Sequence, residues 1–276
     1  MVNGIESFRE KFKDYTDCYT VIGGTACDIL MTEADFNFRA TKDIDMILIM
    51  EARYQEFASV FWEYIKEGGY RCGWKSSSEV HFYRFTEPAP GYPVQIELFS
   101  RQPEYHLNVK DNIVPIHIGE DVSSLSAILL NADFYSFMMS GRQVINDICV
   151  LDAAHLIPFK MYAWIDLYEK KTQGNHVNER DYKKHKYDVF RLLEIVPSGI
   201  RIAVSGSVAE SIQRFLLLIR SEPLPLSQIG LTINPEQAFE IIRSTFIFRN
   251  SECCAPIVAY SAPIFCLFFA FKMPMT

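Results

Sequence analysis

Hydrophobic positions follow two rhythms along this chain. In the first half, short runs of β-branched and aromatic residues alternate with stretches at helical spacing, whereas helical spacing dominates from residue 151 onward. Tyr19 to Ile22 predicts a strand that Gly23-Gly24 ends, and a helix follows over 25–33. Ile44 to Met50 predicts the next strand, and Phe57, Val60, Phe61 and Tyr64 recur on one face of a helix over 53–67 that Gly68-Gly69 closes. Segments 81–85, 94–99 and 113–118 predict further strands, separated by turns such as Pro88-Ala89-Pro90-Gly91. Beyond them, 153–171 predicts a helix with Leu156, Phe159, Ala163 and Leu167 on one side and Pro158 tolerable near its first turn. Three more helices are expected over 177–195, 208–220 and 235–245; the first opens on Asn178 with Asp181, the last on Asn234, Pro235 and Gln237 as cap, first-turn proline and capping partner. The pattern predicts an α/β (α+β) fold, with a mixed sheet and flanking helices over 1–150, a C-terminal helical lobe over 151–252 and an apolar tail over 253–276.

Composition adds limits. A chain of 276 residues with 49% hydrophobic residues can fill one large core or two modest ones. Its 27 Lys plus Arg against 34 Asp plus Glu leave a net charge of −7, so no long-range field draws nucleic acid to it. Contact with RNA has to be local, and Lys183-Lys184-His185-Lys186, near Arg180 and Arg191, is the candidate run, against the plainer reading as a solvated helix face. Seven cysteines without a Cys-x-x-Cys pair point to reduced, mostly buried thiols, and the histidines show no ligand spacing, so zinc is not indicated. Met1 to Glu6 lacks the layout of a signal peptide, which makes the cytoplasm the expected location. Cys253 to Phe271 is almost wholly apolar, yet Pro256 and Pro263 interrupt it, favouring a buried or ill-ordered tail over a membrane anchor.

The chemistry concentrates in three acids. Asp43 and Asp45, two apart at the start of a strand, share a face while Ile44 and Met46 pack behind them. A third acid on a neighbouring strand, Glu97 in Val94-Gln95-Ile96-Glu97-Leu98-Phe99, would complete a cage for Mg²⁺, a hard ion that takes a few carboxylates plus substrate phosphates. Upstream, Gly23-Gly24 lets the backbone approach a phosphate, the following helix offers its N-terminal N–H groups, and Thr25 adds a hydroxyl.

Gly23-Gly24, Asp43-Ile44-Asp45 and Glu97 together resemble the pattern of the DNA polymerase beta-like nucleotidyltransferase superfamily: a glycine turn, a helix, Asp-x-Asp on the next strand and a third acid on a later one. Within it, Ile22-Gly23-Gly24-Thr25-Ala26 and Arg39-Ala40-Thr41-Lys42-Asp43-Ile44-Asp45 look like the AbiEii-type toxin branch, as do Leu156-Ile157-Pro158-Phe159-Lys160 and Lys186-Tyr187-Asp188-Val189-Phe190. The resemblance spans about residues 18 to 195. Eighteen residues between Gly24 and Asp43 exceed the usual interval, so an extra loop is expected over 35–38, and Glu replaces the commoner Asp as third acid.

The resemblance implies a nucleotidyltransferase fold and a Mg²⁺-dependent enzyme that moves a nucleoside monophosphate from an NTP to a hydroxyl acceptor. It casts Asp43, Asp45 and Glu97 as catalytic ligands of two Mg²⁺ ions, Glu97 also serving to accept the acceptor's proton. Gly23, Gly24, Thr25, Arg39, Thr41, Lys160 and Asp188 become nucleotide-binding, with the nucleotide lying between the two lobes. RNA, tRNA included, is one acceptor that branch suggests, and an antitoxin protein would restrain the enzyme. A small molecule such as an aminoglycoside, a protein side chain, and a catalytically silent nucleotide-binding module are the competing readings.

Overall fold

Ile5, Phe8 and Phe12 recur at helical spacing, and helix α1 (Ile5–Phe12) buries all three. The computed structural model describes residues 2–49, 51–72, 84–101, 113–118 and 122–249, without the side chains of 113–118 and 122–129. Two compact units divide the chain, one through Asp152 and one from Ala153 onward.

In the first unit, β1 (Tyr19–Ile22) runs into α2 (Gly23–Glu33), and β2 (Asp43–Leu48) leads to α3 (Tyr54–Glu67). Strands β3 (Arg71–Cys72), β4 (Arg84–Thr86), β5 (Gln95–Arg101), β6 (Ile113–Ile118) and β7 (Val122–Leu130) follow, then α4 (Ala132–Ser140), β8 (Arg142–Ile145) and β9 (Ile148–Leu151). One mixed sheet holds all of these strands in the order β3-β4-β5-β2-β1-β9-β8, with β7 joined to β5 and to β6. The β2–β5 and β1–β9 pairs are parallel, whereas β1–β2, β4–β5 and β8–β9 are antiparallel. Only the strand part of the expected segment 81–85 that begins at Arg84 lies within the described residues.

An aromatic cluster anchors this sheet. Phe8 and Phe12 of α1 meet Tyr19 of β1 and Tyr64 of α3, and Phe12 also meets Phe57 and Phe61, with ring centroids between 4.7 and 6.4 Å apart. Aromatic pairs at such separations add to the stability that burial of their area already supplies. Both β1 and β9 are buried along their whole length, as expected for strands in the middle of a covered sheet.

The second unit is mostly helical: α5 (Ala153–Thr172), α6 (Glu179–Leu193), α7 (Gly206–Leu218) and α8 (Pro235–Thr245). It also contains a feature the sequence pattern did not suggest, a parallel pair of short strands, β10 (Ile202–Val204) and β11 (Phe246–Phe248). The cap expected at Asn234 is present: its side chain accepts from the Gln237 N–H while the Gln237 side chain accepts from the Asn234 N–H. Helix α5 continues through Pro158. Among the described residues no helix is long and apolar enough to cross a membrane, and the apolar segment 253–271 lies outside them.

Candidate active site

Strand alternation aims the acids. Ile44, Met46 and Leu48 are fully buried on one side of β2, leaving Asp43, Asp45 and Ile47 on the other. Strand β5 runs parallel to β2 with Asp43 opposite Gln95 and Asp45 opposite Glu97, so Glu97 shares the aspartates' face. Asp45 and Glu97 are almost enclosed, at 6% and 4% exposure, while Asp43 is half-buried.

The glycine turn lies directly against these acids. Ile22, the last residue of β1, pairs with Asp45, and Gly23 then takes a φ of +72°, a conformation glycine adopts without steric penalty. A Cβ at Gly23 would run into the Asp45 carboxylate. A Cβ at Gly24 would stand 2.7 Å from Thr41 Oγ1 and 3.5 Å from Arg39 Nη2, so that position too requires glycine unless its neighbours move. The Thr25 hydroxyl donates to the Asp43 carbonyl at 2.5 Å, tying the first turn of α2 to the start of β2. The N-cap residue Ile22 makes no side-chain cap bond and α2 has no acid of its own in its first turn. Its leading N–H groups, which have no partner within a helix, and the positive end of its dipole lie at the end where the Asp45 carboxylate packs against Gly23.

The connection from α2 to β2 folds back onto this turn. Asp35 takes a φ of +60° and the Phe36 N–H bonds the Met31 carbonyl at 2.8 Å, after which the chain runs without regular structure to Lys42. This is where the long interval predicts an extra loop. Arg39 reaches Gly24 with its guanidinium 4.9 Å from the centre of the Phe38 ring, a cation–π contact that holds a planar cation in a defined orientation.

Two residues at the site escaped the sequence reading. Arg84 on β4 pairs with Glu97 across the antiparallel β4–β5 ladder, and its Nε lies 2.7 Å from Glu97 Oε1. The Gln95 side chain donates to the same oxygen at 2.6 Å. Period-two spacing already places Gln95 beside Glu97, so that neighbour was legible. Arg84 was not, because its partner depends on the register across the connection 87–94. Among the described residues no group of three or more His, Cys, Asp or Glu side chains is arranged to hold a metal ion. The acids share one face and one register, but the third has a cation of the chain's own on it.

Lys160 and Asp188 come together in the second unit. Lys160 Nζ on α5 lies 3.1 Å from Asp188 Oδ2 on α6, both side chains are 3% exposed or less, and Arg191 Nη1 lies 3.5 Å from Asp188 Oδ1. The basic run on α6 is a solvated face only in part: His185 and Lys186 are buried, and Lys186 Nζ pairs with Glu222 at 3.0 Å and donates to the Pro223 carbonyl at 3.3 Å. Lys183 is exposed.

No protein-family model matches this chain, and no curated protein matches it in sequence. Solved structures do match. A nucleotidyltransferase-like antigenic protein from Paracoccidioides brasiliensis aligns with a TM-score of 0.44 and 12% identity, covering 86% of this chain and 94% of that one. The antibiotic-resistance factor ANT(2'')-Ia, solved in solution, aligns with a TM-score of 0.36 and 13% identity, covering 82% of this chain and 95% of that one.

The local contacts carry their own prediction. Gly23→Ala places a methyl group against the Asp45 carboxylate and forces an alanine into left-handed backbone, which is unfavourable by about 1–2 kcal/mol. If Asp45 holds a divalent ion, affinity for that ion should fall by about tenfold or more, the effect of disturbing a ligand's support, in a protein whose thermal midpoint drops only a few degrees. Titration of Mn²⁺ against the variant checks this, and an unchanged affinity would separate the glycine turn from the acids.

Proposed function

We propose that this chain is a Mg²⁺-dependent nucleotidyltransferase that transfers a nucleoside monophosphate from an NTP to a hydroxyl acceptor. The observation that carries the reading is the placement of Asp43 and Asp45 on one strand face, in register with Glu97, against a glycine turn where the Asp45 carboxylate leaves no room for a side chain. A binding module has no need of three acids on one face beside a helix N-terminus, whereas phosphoryl transfer depends on positioning and charge compensation.

The donor set suits the ion. Asp43 and Asp45 are oxygen ligands on one face and would hold Mg²⁺, which when bound offsets charge on the oxygens around the transferring phosphorus. Gly23, Gly24 and Thr25 would receive the phosphates on the first turn of α2, since backbone N–H groups and the helix dipole favour an anion there. Arg39, steadied by Phe38, and Thr41 border that turn and would contact the same phosphates. Lys160 and Asp188, which pair with each other in the second unit, are the further residues assigned to the nucleotide, Lys160 as a cation. The acceptor hydroxyl forms the new bond to the α-phosphorus, its proton is released, and pyrophosphate leaves.

The motifs shared with the AbiEii-type branch favour RNA, tRNA among it, as the acceptor, and a toxin-like enzyme held in check by an antitoxin protein. NTP labelled at its α-phosphate, incubated with the protein, Mg²⁺ and separate pools of RNA, protein and metabolites, tests the reading. Label in RNA that disappears on chelation is the expected outcome. Label in the metabolite or protein pool would keep the transferase and move the acceptor, and no label in any pool with any of the NTPs would overturn the enzyme.

A further inference from the structure

Three acids on one face would ordinarily be counted as three ligands, yet one is already engaged. Glu97 Oε1 forms an ion pair with Arg84, whose Nε lies 2.7 Å away, and accepts from the Gln95 side-chain amide at 2.6 Å, within a pair whose side chains are 16% and 5% exposed for Arg84 and Glu97. The contact is built into the sheet, since Arg84 and Glu97 are cross-strand partners in the β4–β5 ladder and Gln95 occupies the same face two residues away. A guanidinium stays protonated at any pH a protein meets, and a divalent ion approaching Oε1 would meet a fixed positive charge poorly screened by water.

We propose that Glu97 is a positioning residue for Arg84, and that the site takes one divalent ion, on Asp43 and Asp45, with the Arg84 guanidinium supplying the positive charge a second ion would bring. An arginine can take that part because phosphoryl-transfer sites stabilise developing charge with Arg, Lys or metal ions alike. A planar guanidinium fixed by a carboxylate is preorganised to donate bidentately to phosphate oxygens, which a lysine in its place is not. The inference rests on the nucleotidyltransferase reading of the acids and specifies how their charge is divided.

Counting Mn²⁺ ions by electron paramagnetic resonance, on the full chain with a non-hydrolysable NTP analogue, tests it. The wild type should hold one Mn²⁺ per chain. Asp45→Asn should weaken that ion by at least about tenfold, as loss of a ligand does. Glu97→Gln should leave the Mn²⁺ count and affinity as they were while the analogue itself binds about tenfold more weakly, one charge-assisted hydrogen-bonding partner having lost its seat. Arg84→Gln should weaken the analogue to the same degree, with Arg84→Lys restoring only part of the loss. Two Mn²⁺ ions in the wild type, a count that needs no variant to fold, would overturn the inference, as would a loss of Mn²⁺ affinity in Glu97→Gln equal to that in Asp45→Asn. Unchanged Mn²⁺ binding in Asp45→Asn would instead remove the metal reading of the aspartates, and this inference with it.

Discussion

Asp43→Asn combined with Asp45→Asn should abolish nucleotidyl transfer, lowering the rate by at least about a thousandfold. Metal compensation of phosphoryl charge supplies several kcal/mol to the transition state, and about 4 kcal/mol corresponds to that factor. The fold should survive. Asp45 is 6% exposed, beside the equally enclosed Glu97 in its parallel register, whose charge the Arg84 guanidinium offsets. Replacing two carboxylates by isosteric amides keeps their shape, and the thermal midpoint should stay close to the wild-type value. The packing behind them, Ile44, Met46 and Leu48, is untouched. Transfer measured with α-labelled NTP and a melting curve on the same sample decide it. Transfer that persists in the double variant would remove these acids from the chemistry, while a large fall in midpoint would mean that they act in folding.

The features legible in the sequence were those whose cause is local. Gly23-Gly24 marks the junction of β1 and α2 because only glycine enters left-handed backbone freely, and alternation along β2 puts Asp43 and Asp45 on one face without knowledge of any neighbour. The cap on α8 was written out in Asn234, Pro235 and Gln237. Helix α1, at eight residues too short to persist alone, is held by Phe8 and Phe12 against β1 and α3, so its stability is tertiary. The β8–β9 hairpin turns through Asn146 and Asp147, both at positive φ, in a two-residue connection; that signal was present in the sequence and went unread.

Side-chain pairing across elements was harder to see. Which residue opposes Glu97 depends on register between strands joined by a connection of several residues, and that register alone brings in Arg84. The basic run on α6 misled for a related reason. Charge runs usually face water, but a lysine whose ammonium reaches a carboxylate can bury its stem, as Lys186 does against Glu222. Burial is decided by what packs on a helix, which a charge pattern does not reveal.

Lys160→Met should be the most destabilising single change among the proposed site residues, because it strands Asp188. That carboxylate is fully enclosed, and its contact to Lys160 at 3.1 Å is shorter than its contact to Arg191 at 3.5 Å. Removing one partner of a buried ion pair typically costs about 3–5 kcal/mol, and Arg191 should hold the loss near the lower figure. At about 2–4 °C per kcal/mol for a chain of roughly this size, the midpoint should fall by on the order of 10 °C. Replacing both partners, Lys160→Met with Asp188→Leu, removes the stranded charge and should recover most of that loss, since apolar residues of similar volume often substitute for a buried pair without penalty. The double variant then separates two roles that the single one confounds. If Lys160 serves the nucleotide, the refolded double variant binds NTP more weakly and transfers slowly despite its regained stability. Recovery of nucleotide affinity together with the midpoint would leave Lys160 and Asp188 as a structural tie between α5 and α6 alone.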